Sequence, residues 1–145
     1  MFQDCSNLTS IQWNIKNIAN FSDSSNAPFY TIKSQITSFT FGNEVERIPA
    51  FLCYGMENLT SVMIPNSVTS IESWAFYGCS SITSIIIPNS VTIIGKNAFY
   101  NCTNIDTLTY EGTTKQWSSI YKGTNWYYNT TITKVTCSDG EVSLI

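Results

Sequence analysis

Ala75-Phe76-Tyr77-Gly78-Cys79-Ser80-Ser81-Ile82-Thr83-Ser84-Ile85-Ile86-Ile87-Pro88-Asn89-Ser90-Val91-Thr92-Ile93-Ile94-Gly95 is the stretch from which the architecture is read. Its apolar residues return along the chain on a fixed ruler. Ile36-Thr37-Ser38-Phe39, Leu59-Thr60-Ser61-Val62, Ile82-Thr83-Ser84-Ile85 and Ile105-Asp106-Thr107-Leu108 align, their leading residues 23 positions apart each time. Phe41, Ile64, Ile87 and Tyr110 share one slot; Val45, Val68 and Val91 share another, and Ile48, Ile71 and Ile94 a third. Cys53, Phe76 and Phe99 form a fourth, with Met56, Cys79 and Cys102 just behind it. An earlier copy starts at Phe2, where Cys5, Leu8, Ile11 and Trp13 take the slots of Cys79, Ile82, Ile85 and Ile87. Leu8 and Ile36 are 28 residues apart, and the surplus lies in the turn-rich stretch 14–35. A sustained period of this length is the mark of stacked coils.

The pattern inside one unit says what each part does. In Thr60-Ser61-Val62-Met63-Ile64-Pro65, apolar Val62 and Ile64 alternate with outward Ser61 and Met63, as a half-buried strand requires. Pro65 and Pro88 end the strands because proline has no N–H for the ladder. Asn66-Ser67 and Asn89-Ser90 suit turns, since short polar side chains bond their own backbone. Val68-Thr69-Ser70-Ile71 reads as a second short strand. Trp74–Gly78 and Asn97–Asn101 are expected to make one helical turn each. One coil cannot bury its own apolar face, so neighbours must stack and each slot becomes a ladder. The expected fold is a right-handed solenoid of parallel strands and short helical turns, about four coils over residues 1–111 with an insertion near 14–35.

The chain resembles the BspA-like leucine-rich-repeat family over roughly residues 2–111. The Ala-Phe-x-x-Cys box (Ala75–Cys79, Ala98–Cys102), the Ile-x-Ile-Pro strand and the Asn-Ser-Val-Thr turn recur together at fixed offsets. The third unit departs from it, with Leu52-Cys53-Tyr54-Gly55-Met56 for the box and Gly42 for the proline. The resemblance implies a cell-surface or secreted protein. It also implies a protein partner, such as a host matrix protein or another cell-surface protein.

Beyond Tyr110 the repeat stops. Residues 112–145 are expected to form a C-terminal cap: a Thr-capped short helix through Trp117, an aromatic loop 123–129, and a hairpin around Ser138-Asp139-Gly140. The first residues already belong to a repeat and carry no signal peptide, so a native signal and upstream region are expected before Met1.

Composition narrows the function. The net charge is −3 and the seven basic residues are scattered singly, which argues against nucleic acid. No apolar stretch is long enough for membrane insertion. The chain has no His, which removes Ser-His-Asp and Cys-His catalysis and most catalytic zinc sites. Glycine-rich phosphate loops are absent too. Paired carboxylates remain possible, for example Glu44 with Glu46 or Glu111 with Asp139, and solvated charge is the ordinary explanation for Glu44 and Glu46. The expectation is therefore no enzyme, no cofactor and no metal.

The five cysteines admit two readings, rung-to-rung disulfides or buried thiols. Exchange of their slots with Met56, Phe76 and Phe99 favours the second. Sequons stand at Asn7, Asn20, Asn58, Asn101 and Asn129, two of them simply repeat motif. Trp117, Tyr121, Trp126, Tyr127 and Tyr128 suit either a plug for the last coil or a sugar platform. Two outward rows run across the strands: Ser10, Ser38, Ser61, Ser84 and Thr107, beside Gln12, Thr40, Met63, Ile86 and Thr109. The second row varies in chemistry and brings Met63 and Ile86 together, so it is the candidate partner-binding site. An adhesion-type, non-catalytic recognition module is the leading reading. A carbohydrate-binding module and a structural spacer in a larger surface protein are the alternatives.

Overall fold

The structure, a computed structural model, describes Phe2 and residues 4–145. The ruler's strand slots become rungs, with one break between β4 and β6. Strands β1 (Ser10–Trp13), β2 (Ser38–Phe41) and β4 (Ser61–Met63) pair in parallel, with Ser10 opposite Ser38 and Ser38 opposite Ser61. Strands β6 (Ser84–Ile87), β8 (Thr107–Tyr110) and β10 (Lys134–Cys137) form a second parallel set on the same face of the coils. Behind them lie the short strands β3 (Arg47–Ile48), β5 (Ser70–Ile71), β7 (Ile93–Ile94) and β9 (Tyr121–Lys122), one continuous parallel sheet.

A third ladder replaces the expected helical turns. Residues 51–55, 74–78, 97–101 and 125–129 form tight turns, not helix. Phe51, Trp74, Asn97 and Asn125 enter them at φ of 64°, 64°, 55° and 57°. Gly55, Gly78, Asn101 and Asn129 leave them at 69°, 71°, 62° and 57°. A left-handed residue at each end stops a helix from propagating. It also turns alternate N–H groups toward the next coil: Cys53 N donates to Ala75 O (2.9 Å), Phe76 N to Ala98 O (2.9 Å) and Phe99 N to Trp126 O (2.7 Å).

That ladder corrects the boundary expected at residue 111. Asn125-Trp126-Tyr127-Tyr128-Asn129 repeats Asn97-Ala98-Phe99-Tyr100-Asn101 in backbone and hydrogen bonding, β9 pairs with β7, and β10 pairs with β8. Residues 112–137 thus wind as a further coil. Its helix α1 (Thr114–Ser119) stands where the other coils have a polar turn, with Thr113 and Gln116 closing a capping box. Only β11 (Gly140–Ser143) leaves the pattern, pairing antiparallel with β10.

The core is a set of one-residue columns. Val45, Val68 and Val91 are fully buried, as are Ile48, Ile71 and Ile94, and Ile36, Leu59, Ile82 and Ile105. The Phe76 and Phe99 rings lie parallel, 5.4 Å apart. Trp13 is buried against Phe29 and Phe39. The 14–35 insertion is not a loose loop: it makes 3₁₀ turns at Ser24–Asn26 and Tyr30–Gln35 and buries Ala27, Phe29 and Ile32. Asp23 starts the first of these turns, accepting bonds from the Ser25 and Asn26 N–H groups.

All five cysteines are free thiols. Cys53, Cys79, Cys102 and Cys137 are buried, whereas Cys5 is exposed and does not share the buried slot of Cys79. The Cys79 thiol donates to Cys53 O and the Cys102 thiol to Phe76 O, at 3.2 and 3.0 Å. Burial pushes all four buried thiols up, Cys102 to about 12. Since the thiolate is the reactive species, one thiol (Cys5) is expected to react with a soluble disulfide reagent near neutral pH. All five should react in denaturant without reductant. Fewer than four thiols in denaturant would overturn the buried-thiol assignment.

Candidate functional site

The strand face carries the two outward rows at the positions expected from the period. Gln12 lies opposite Thr40, Thr40 opposite Met63, and Ile86 opposite Thr109. Thr136 continues the row one coil further, opposite Thr109. That rung was missed because the last coil was not read as a repeat. Gln12, Thr40, Met63 and Ile86 are exposed; Thr109 is half-buried.

Met63 and Ile86 do not sit on paired strands. The face divides between β4 and β6, which belong to different sheets. The same two coils stay joined behind, where Ser70 and Ile71 pair with Ile93 and Ile94, and where Ser90 Oγ donates to Val68 O at 2.7 Å. The division opens a cleft of about 490 Å³ lined by Phe41, Val62, Ile64, Pro65, Ser84 and Glu111, with Met63 and Ile86 on its sides. Val62 is only half-buried, whereas its counterparts Phe39, Ile85 and Leu108 are buried. Met63 is 70% and Ile86 56% exposed, so the flanks of the cleft are apolar and open. Glu111 is the one charged residue lining it.

Of the two readings of the terminal aromatics, the two tryptophans follow the plug and no sugar platform is assembled from them. Trp117 and Trp126 are buried, edge to face at 5.7 Å, and Trp117 packs on Tyr110 at 5.3 Å. Tyr121 and Tyr128 are exposed on separate ladders. Lys122 closes the end of α1, donating to Trp117 O and Ile120 O at 2.6 and 3.0 Å with its Nζ 4.6 Å from the Trp117 ring centre. Partial burial pushes the Lys122 amine down.

The acid pairs are dispersed into structural roles. Glu46 pairs with Lys16 at 3.3 Å, and Glu44 is solvated. Asp139 accepts from Thr114 N at 2.6 Å, at the start of α1. Arg47 is held by Glu72 at 2.9 Å. Among the described residues no group of His, Cys, Asp and Glu could hold a metal ion, and no helix is long and apolar enough to cross a membrane.

Comparison with known proteins agrees with the repeat architecture. The BspA type leucine-rich repeat region is matched by six copies over residues 22–144, past the boundary expected at 111. No curated protein matches the chain at a significant level. Among solved structures, a leucine-rich cell surface protein from Faecalibacterium prausnitzii A2-165 superposes with a TM-score of 0.64 at 28% identity. The match covers 83% of this chain but only 30% of that one. The matched repeats, the stacked parallel strands and the fixed period together make this chain a member of the BspA-type leucine-rich-repeat family.

Proposed function

We propose that the chain is a protein-recognition module of a cell-surface or secreted protein, and that its partner docks on the strand face across Met63 and Ile86. One observation carries the reading: two large apolar side chains stand exposed on either side of a cleft where the face divides. Soluble surfaces scatter such residues singly; two flanking an open cleft make a contiguous apolar centre. Ser61, Ser84, Asn43 and Asn66 stand beside it, a polar rim of the kind recognition surfaces carry. Likeness to a leucine-rich cell surface protein supports the location.

The test is a displayed library of peptides and protein fragments selected against the immobilised chain. Enriched binders are expected to lose at least about tenfold in affinity for a Met63→Lys, Ile86→Lys variant. That variant should keep the wild-type melting temperature, because both side chains already face solvent. Absence of any enriched binder, or binding indifferent to both lysines, would overturn the assignment.

A further inference from the structure

A second recurring row lies on the third ladder, away from the strand face. Tyr54, Tyr77, Tyr100 and Tyr128 occupy one slot on successive coils. Their ring centres are 4.6, 5.2 and 5.0 Å apart and their planes within 6°, 14° and 24° of parallel. The Lys33 ammonium extends the column, 5.7 Å from the Tyr54 ring centre and 4.2 Å from that of Tyr30.

Beside this column runs a groove of about 410 Å³ that crosses the coils from Lys33 to Asn129. Glu57, Ser80 and Thr103, one residue per coil in a single slot, line it. So do Gly55, Gly78, Asn101 and Asn129, the residues that close the tight turns.

The chemistry of this groove differs from that of the strand face. The rings stack on one another, so the column offers a ligand ring edges and phenol oxygens. Tyr110 and Tyr127 direct their hydroxyls to Asn89 O and Leu144 O. Among the described residues the four column phenols make no such internal bond, nor do the side chains of Glu57, Ser80 and Thr103. The backbone beneath is already satisfied, with Gly55 N donating to Tyr77 O and Gly78 N to Tyr100 O.

What faces the groove is therefore the Tyr54 and Tyr77 phenols with Glu57, Ser80 and Thr103, one per coil, all with open hydrogen-bonding capacity, while Asn129 Nδ2 already donates to Asn101 Oδ1 at 2.6 Å. One ammonium and one carboxylate cancel, so the lining selects neither a polyanion nor a polycation. An apolar peptide finds no apolar floor. The spacing of about 5 Å between rings is close to the length of one sugar in an extended, equatorially linked pyranose chain.

From this we infer that the groove binds a neutral, extended β-1,4-linked glycan lying along the stack of coils, one pyranose per coil. This site is independent of the strand-face reading, and a single protein can carry both.

Titration calorimetry on the full chain tests the inference, with cellohexaose and chitohexaose as probes and the curved maltohexaose as comparison. Saturable binding of at least one extended hexaose is expected, with none of maltohexaose. A Tyr77→Phe, Asn101→Gly variant keeps the ring stack and the turn, since Gly55 and Gly78 hold the same left-handed slot. It should lose at least about tenfold in affinity at an unchanged melting temperature. Should that pair disturb folding, Glu57→Gln alone, at an exposed position, gives the same readout. The Met63→Lys, Ile86→Lys variant should bind the hexaose as the wild type does. No binding of either extended hexaose at millimolar concentration, or binding lost only with the strand-face variant, would overturn the inference.

Discussion

A chain ending at residue 111 is expected not to fold cooperatively. The removed segment supplies Trp117, Trp126, Ile132 and Val135 to the core, all at most 6% exposed, and half-buried Tyr127 beside them. Their removal uncovers Leu108 and Tyr110, buried in the intact chain, and leaves the turn at 97–101 without the acceptors Thr124 O, Trp126 O and Tyr128 O. Burying one large apolar side chain stabilises by about 1.5–3 kcal/mol. Four or five of them match a typical total stability of about 5–15 kcal/mol. The truncated chain should therefore aggregate or unfold without a transition in urea, as a repeat array does when its end is stripped. A soluble 1–111 fragment with a sharp urea transition would show that the last coil is an independent addition.

Phe99→Ala should be among the most damaging single changes. Phe99 is fully buried, stacks on Phe76, and sits in the turn whose N–H reaches Trp126 O. Large-to-small substitution of a buried aromatic costs about 3–5 kcal/mol, because neighbours relax only partly into the space. Here the neighbours are tied to two coils by backbone bonds, which restricts collapse further. For a chain of this size the melting temperature should fall on the order of 10 °C. Phe99→Leu should cost markedly less. A loss under about 1 kcal/mol for the alanine variant would mean that the column can repack, against the rigid-rung picture.

These two expectations rest on parts of the fold that differed in how far the sequence disclosed them. The columns of Val45, Ile48 and Ile36 were legible because burial on a stacked coil demands the same apolar residue at the same offset. The final coil was hidden for a physical reason. Helix α1 replaces the Pro-Asn-Ser-Val turn and adds five residues, so β9 falls 28 positions after β7 and the 23-residue ruler no longer lands on it. The available signal was the Asn125–Asn129 spacing, which copies Asn97–Asn101 because both pairs take left-handed backbone.

Among the candidate site residues, the alternation of Ser61-Val62-Met63 placed Met63 outward, and the period placed Ile86 on the next coil. The cleft between them was not legible, because Leu59–Pro65 reads as a strand no different from its neighbours. Tyr54, Tyr77 and Tyr100 of the tyrosine column stand in the sequence at the repeat spacing, while Tyr128, 28 positions after Tyr100, lies in the hidden coil.

The division between β4 and β6 also decides how the molecule carries force. Three coil strands lie on each side of it, β1, β2 and β4 against β6, β8 and β10, and each group is stiffened by its own hydrogen bonds. Across the boundary the front contributes no strand pairing, while the back is joined by β5 with β7 and by the turns at 74–78 and 97–101. A pull applied at the two ends therefore meets no strand pairing at the front of that boundary, only the shared core and the bonds behind it. Bending toward the front narrows the cleft around Val62, and bending away widens it. The exposed Met63 and Ile86 stand on either side of this one break in the front pairing.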